Sequence, residues 1–136
     1  MPTAGYSGTP LIQKLGIKPS MKIRLINAPE EYSKWLGVSI DKQRCSEKEI
    51  ADFIHLFCAH YSLFEKEMKQ LKSTIKKNPA IQIWVSWYKK ASKIPTDITE
   101  DSIRNYALKN GLVDVKVCAV SEIWSGLKLV VPLANR

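Results

Sequence analysis

Apolar positions fall along the chain in two patterns. Residues 21–26, 53–59, 80–87, 113–120 and 124–131 alternate or run continuously apolar over strand-like lengths. Elsewhere apolar residues recur at helical spacing. Leu63, Phe64, Met68, Leu71 and Ile75 line one side of a predicted helix over 62–78, opened by Ser62-x-x-Glu65 and stopped by Asn78-Pro79. Thr99 is placed to cap a second helix, with Glu100 and Asp101 in its first turn, Ile98 and Ile103 as a hydrophobic staple, and Gly111 at its end. Two shorter helices are predicted. Thr9, Pro10 and Gly16 bracket residues 11–15, and Pro29 with Glu30 and Glu31 opens a helix whose apolar face is Tyr32, Trp35 and Leu36. Residues 38–45 read as a short edge strand. Ser46-x-x-Glu49 has capping-box form, but little apolar periodicity follows.

The strands differ in kind. Residues 53–59 form a continuous apolar run, as in a buried parallel strand, and residues 80–87 are apolar on both faces, as in a central one. The link between 113–120 and 124–131 is too short for a crossover helix, so that pair is predicted antiparallel. Strand and helix otherwise alternate. The expectation is an α/β fold, a three-layer Rossmann-like arrangement with a mostly parallel sheet and a C-terminal antiparallel pair. Residues 1–20 form an N-terminal arm with a short helix, Tyr6 serving as an anchor, and 21–136 a single α/β domain.

Composition narrows the class. A chain of 136 residues that is 45% hydrophobic and 25% charged suits one folded domain. No apolar run reaches the ~20 residues that span a bilayer. The opening MPTAGYSGTP lacks the basic and apolar regions of a secretory signal. Cys45, Cys58 and Cys118 form no CxxC pair, which points to reduced thiols in the cytoplasm. The 21 basic and 13 acidic residues leave a net charge of +8. That surplus suits an anionic partner, and equally a surface of solvated lysines.

Two resemblances enter here. "LGIKPSMKIRLINAP", residues 15–29, resembles the start of an S-adenosylmethionine-dependent methyltransferase domain, and the final helix, strand and antiparallel strand resemble its end. The segments "GYSGTPLIQKLGIKP", "FIHLF", "IWVSW", "IPTDITED", "GLVDVKVCAV" and "WSGLKLV" resemble a bacterial family, domain of unknown function 3052 (DUF3052). The first resemblance implies a methyltransferase-like fold; the second implies no activity. Where a methyltransferase carries its glycine loop this chain has Asn27, Ala28 and Pro29, and Ser20 replaces the preceding glycine. Ala28 adds a β-carbon and Pro29 removes an N–H, so no cofactor is expected. Asp41 is the sole nearby acid for a ribose. Asn27 reads best as a helix cap.

The stronger candidate is the loop "SWYKKASKIPTD". Leaving the C-terminal end of a strand, it carries Lys89, Lys90 and Lys93 with Thr96 and Asp97. Ammonium groups beside hydroxyls can hold a phosphate or carboxylate, while Thr96 and Asp97 can equally start the next helix. Trp124 and Ser125 offer an amphipathic ring beside Gly126, or simply close the core. His55 reads as a satisfied core histidine, and no metal-ligand spacing or catalytic motif occurs.

The sequence favours a non-catalytic α/β domain binding an anionic small molecule or a protein partner. The candidate site is Asn27, Lys89, Lys90, Thr96, Asp97, Trp124 and Ser125. A divergent S-adenosylmethionine-dependent methyltransferase and a nucleic-acid-associated regulator are the alternatives.

Overall fold

Strand alternation resolves into five strands in a computed structural model that describes residues 9–136. Tyr6 lies outside the described residues. The strands are β1 (Ile23–Ile26), β2 (Phe53–Phe57), β3 (Gln82–Tyr88), β4 (Val113–Ala119) and β5 (Trp124–Val130). They form an open sheet in the order β1-β2-β3-β5-β4. The β1–β2 and β2–β3 pairs are parallel, and β3–β5 and β4–β5 are antiparallel.

The C-terminal antiparallel pair is therefore present, but the parallel share of the sheet is smaller than expected. β5 folds back between β3 and β4, which makes two of the four pairings antiparallel. Composition explains the exchange. β5 buries Leu127 and Leu129 on one face and Trp124 on the other, whereas β4 carries Asp114 and Lys116 and suits an edge. The β4 register shifts between Asp114 and Lys116, a bulge that interrupts the exposed edge.

The helices are α1 (Leu11–Leu15), α2 (Tyr32–Leu36), α3 (Tyr61–Gln70), α4 (Lys72–Lys77) and α5 (Glu100–Lys109). Because strand side chains alternate between faces, the core divides in two. Ile54, Leu56, Ile83 and Val85 bury with Phe64 and Met68 of α3 and Ile103 of α5. Phe53, Phe57 and Trp84 bury with Leu11 and Leu15 of α1 and Tyr32 and Leu36 of α2. Trp84 Nε1 also donates to Leu15 O at 2.9 Å, which pins the end of α1 to β3.

Local signals were followed in most places. Gly16 and Gly37 end α1 and α2 with φ of 77° and 76°. Thr99 and Ser102 exchange hydrogen bonds at the start of α5, and Ile98 and Ile103 are both buried beside it. Four expectations are corrected. Residues 38–45 form a 3-10 turn, Asp41–Gln43, and a single parallel bridge, Ile23 to Arg44, instead of an edge strand. The predicted helix over 62–78 breaks at Leu71, whose fully buried side chain holds the junction of α3 and α4. Asn27 is not a helix cap: it ends β1 with φ 58°, and Glu31 takes the N-cap position of α2. Pro10, not Thr9, occupies the N-cap position of α1.

Candidate functional site

Parallel strands bring their C-terminal ends to one edge of the sheet, where an open α/β fold gathers its ligands. Three junctions meet this edge: β1 to α2, β2 to α3, and β3 to the 88–97 loop. The start of β5 joins them, because Trp124 pairs with Tyr88.

At the first junction, Asn27 adopts the left-handed conformation that a short polar side chain tolerates. It lines a cleft of about 350 Å³ with Ala28, Pro29, Glu30, Ser33 and Arg44, floored by Leu25 and Tyr32. Ala28 brings a β-carbon and Pro29 a pyrrolidine ring to the wall of this cleft. Arg44 was missed by sequence reading. It reaches the cleft through its bridge to Ile23, a contact between residues 21 positions apart that no local pattern encodes. Its guanidinium forms no ion pair with a described carboxylate.

At the third junction, Tyr88 stacks on Trp124 with ring centroids 4.2 Å apart. The aromatic row continues from Trp124 to Phe57 at 5.0 Å, from Phe57 to Tyr32 at 5.8 Å, and from Tyr32 to Trp35 at 6.3 Å. Tyr88 and Trp35, at its two ends, are half-buried. Lys89 follows Tyr88, its backbone N–H held by Ile123 O at 2.8 Å. Burial holds the Lys89 amine below the usual lysine range; nearby Lys14 acts in the same direction and Glu122 against it. Lys89 too has no ion pair with a described carboxylate. Lys90 is exposed in the 3-10 turn Lys90–Ser92.

The other expected residues separate from this edge or belong to its scaffold. Thr96 Oγ1 donates to Ala59 O at 2.7 Å, and the Asp97 carboxylate accepts the Tyr61 N–H at 2.7 Å. Both tie the 88–97 loop to the β2–α3 junction, and Asp97 caps α3 from 36 residues away. Ser125 pairs with Trp87 and by alternation faces away from Trp124.

Beneath the aromatic row lies a fully buried polar chain. Tyr32 Oη and His55 Nδ1 are 2.8 Å apart, and His55 Nε2 and Ser86 Oγ are 2.7 Å apart. Neutral imidazole offers one donor and one acceptor, so both contacts are satisfied. Burial pushes His55 down to about 3 and the Tyr32 phenol upward. A histidine between two hydroxyls has the form of a catalytic relay. Here His55 and Ser86 are 0% exposed, so no substrate reaches them, and the chain instead closes the core as expected of His55.

Among the described residues no group of three or more His, Cys, Asp or Glu is arranged to hold a metal, and Cys45, Cys58 and Cys118 are free. No described helix is long and apolar enough to cross a membrane. The chain matches no protein-family model and no curated protein.

Proposed function

We propose that this chain is a non-catalytic, methyltransferase-like α/β domain that binds an anionic small molecule with a flat apolar body. The reading is carried by one observation: an aromatic row along the ligand-gathering edge has a cation without an ion pair near each end, Arg44 and Lys89. A ring can rest on the half-buried Tyr88 or Trp35 while a carboxylate or phosphate meets an amine or guanidinium. Asn27 and Ser33 add neutral donors, and Lys90 adds charge at longer range. The three-layer Rossmann-like frame is supported by the two buried clusters and by β5 folding back antiparallel beside β3. Ala28 and Pro29 favour binding without S-adenosylmethionine.

Phenyl phosphate, a ring bearing one anionic group, is a suitable probe for nuclear magnetic resonance titration. Shifts centred on Asn27, Tyr88, Lys89 and Trp124 are expected. They should be lost in Lys89→Ala/Lys90→Ala and weakened in Arg44→Gln, with folding intact. Absence of shifts at these residues refutes the reading. Saturable binding of S-adenosylmethionine around Ala28 would replace it with the transferase alternative.

A further inference from the structure

A second cationic group lies on the α1 face of the sheet, four residues along β5 from Trp124 and so removed from the C-terminal ends of the parallel strands. Lys116 and Lys128 are register partners across the β4–β5 pair, on one face. Like charges placed directly opposite destabilise a sheet unless something answers them. Neither forms an ion pair with a described carboxylate, and neither does Lys14, whose backbone oxygen meets Lys116. Residues 1–8 contain no Asp or Glu that could supply one.

The surroundings are built rather than loose. Lys116 Nζ donates to Lys14 O, at the end of α1, at 3.0 Å. This contact occupies one of the three donors of an ammonium group and leaves two. It accounts for Lys116 as a helix-terminus partner but not for Lys128 next to it. Burial, and then the charge of Lys116, hold the Lys128 amine below the usual lysine range. Gly16, with φ 77°, lies between the polar ends of two side chains: a carbon added there would be 3.3 Å from Gln82 Oε1 and 3.8 Å from Lys128 Nζ. Gln82 Oε1 is itself buried without a hydrogen-bond partner. Turned by half a revolution, the same amide presents two N–H donors at that point. An oxyanion bridging the two amines would remove their repulsion and give the amide a partner.

We propose that Lys116, Lys128 and Gln82, grouped at the C-terminal end of α1, bind a phosphate-type oxyanion. The phosphate could belong to a small metabolite or to a nucleic-acid backbone, since the recognising chemistry is shared.

Inorganic pyrophosphate titrated into the full chain tests the site by residue-resolved nuclear magnetic resonance. Shifts are expected at Gly16, Gln82, Lys116 and Lys128. Lys128→Gln should weaken binding about tenfold or more, as expected for loss of a charge-assisted hydrogen bond. The more exposed Lys116→Gln provides the same comparison should Lys128→Gln lose the native spectrum. A short oligothymidylate separates the sources. Tighter, steeply salt-dependent binding at the same residues assigns the phosphate to nucleic acid, and weaker binding assigns it to a small molecule. No shift at these residues with either probe, or unchanged affinity in both lysine variants, overturns the proposal. The shifted residues differ from those expected with phenyl phosphate at Tyr88 and Lys89, so failure of one site is distinguishable from failure of the other.

Discussion

His55 shows how burial turns a titratable residue into a structural one. Its ring stacks on Phe57 with centroids 4.4 Å apart, and both nitrogens are hydrogen-bonded to buried hydroxyls. Protonation would make both nitrogens donors and place a charge in apolar surroundings. The folded-state value of about 3 lies below the ordinary 6.5, so the unfolded chain binds the proton more readily. Stability from this residue is complete above pH 6.5 and falls as pH drops toward 3. The slope approaches about 1.4 kcal/mol per pH unit inside that window. Urea unfolding at several pH values should show this fall in the wild type and a shallower one in His55→Gln. Equal slopes would mean that carboxylates alone set the acid sensitivity. The apolar run around His55 made its burial legible in the sequence. Its partners Tyr32 and Ser86 were not legible, because they lie on other elements, 23 and 31 residues away.

Elements followed their local chemistry where the deciding contacts were local. The glycine stops of α1 and α2, the Thr99 cap of α5 and the β4–β5 hairpin each depend on neighbours within a few residues, and all are present. The start of α3 depends on distance instead. Ser62-x-x-Glu65 has the composition of a capping box, yet Ser62 lies inside the helix and His60 takes the N-cap position without a side-chain bond. Asp97 supplies the missing acceptor from the 88–97 loop. Ser46-x-x-Glu49 illustrates the converse. One of its two bonds forms, Ser46 N–H to Glu49 Oε1 at 3.1 Å, while Ser46 Oγ accepts from Lys48 N–H at 3.3 Å instead of from Glu49, and no helix follows because no apolar face recurs. Asp97→Ala should therefore cost about 1 kcal/mol, the usual effect of losing a cap. Hydrogen exchange should quicken at Tyr61 and through the first turn of α3. Capture of phenyl phosphate should be unaffected, whereas a loss of capture with α3 intact would return Asp97 to the ligand site.

At the scale of the whole molecule, charge is the least balanced quantity. Lys22, Arg24 and Arg104 are the cations in ion pairs among the described residues, and residues 1–8 hold no Lys or Arg. The pairing of Arg104 with Glu100, Asp101 and Asp114 ties α5 to the edge strand β4. That leaves 21 − 3 = 18 basic residues without such a partner. The net charge of +8 was plain in the composition, but its arrangement was not: the short link predicts β4 beside β5, whereas the register that sets Lys116 against Lys128 follows a bulge between Asp114 and Lys116. Repulsion among unpaired amines should then outweigh attraction in surface pairs, which contribute only about 0–1 kcal/mol each. Salt shortens the reach of both, from ~30 Å at 0.01 M to ~8 Å at 0.15 M. The melting temperature should accordingly rise as sodium chloride is added over that range, and it should rise less in Lys116→Gln/Lys128→Gln, where a like-charged pair directly opposed across two strands is gone. A melting temperature that falls with salt would show that the Arg104 cluster and the other ion pairs govern stability, and that the lysines lie too far apart to oppose it.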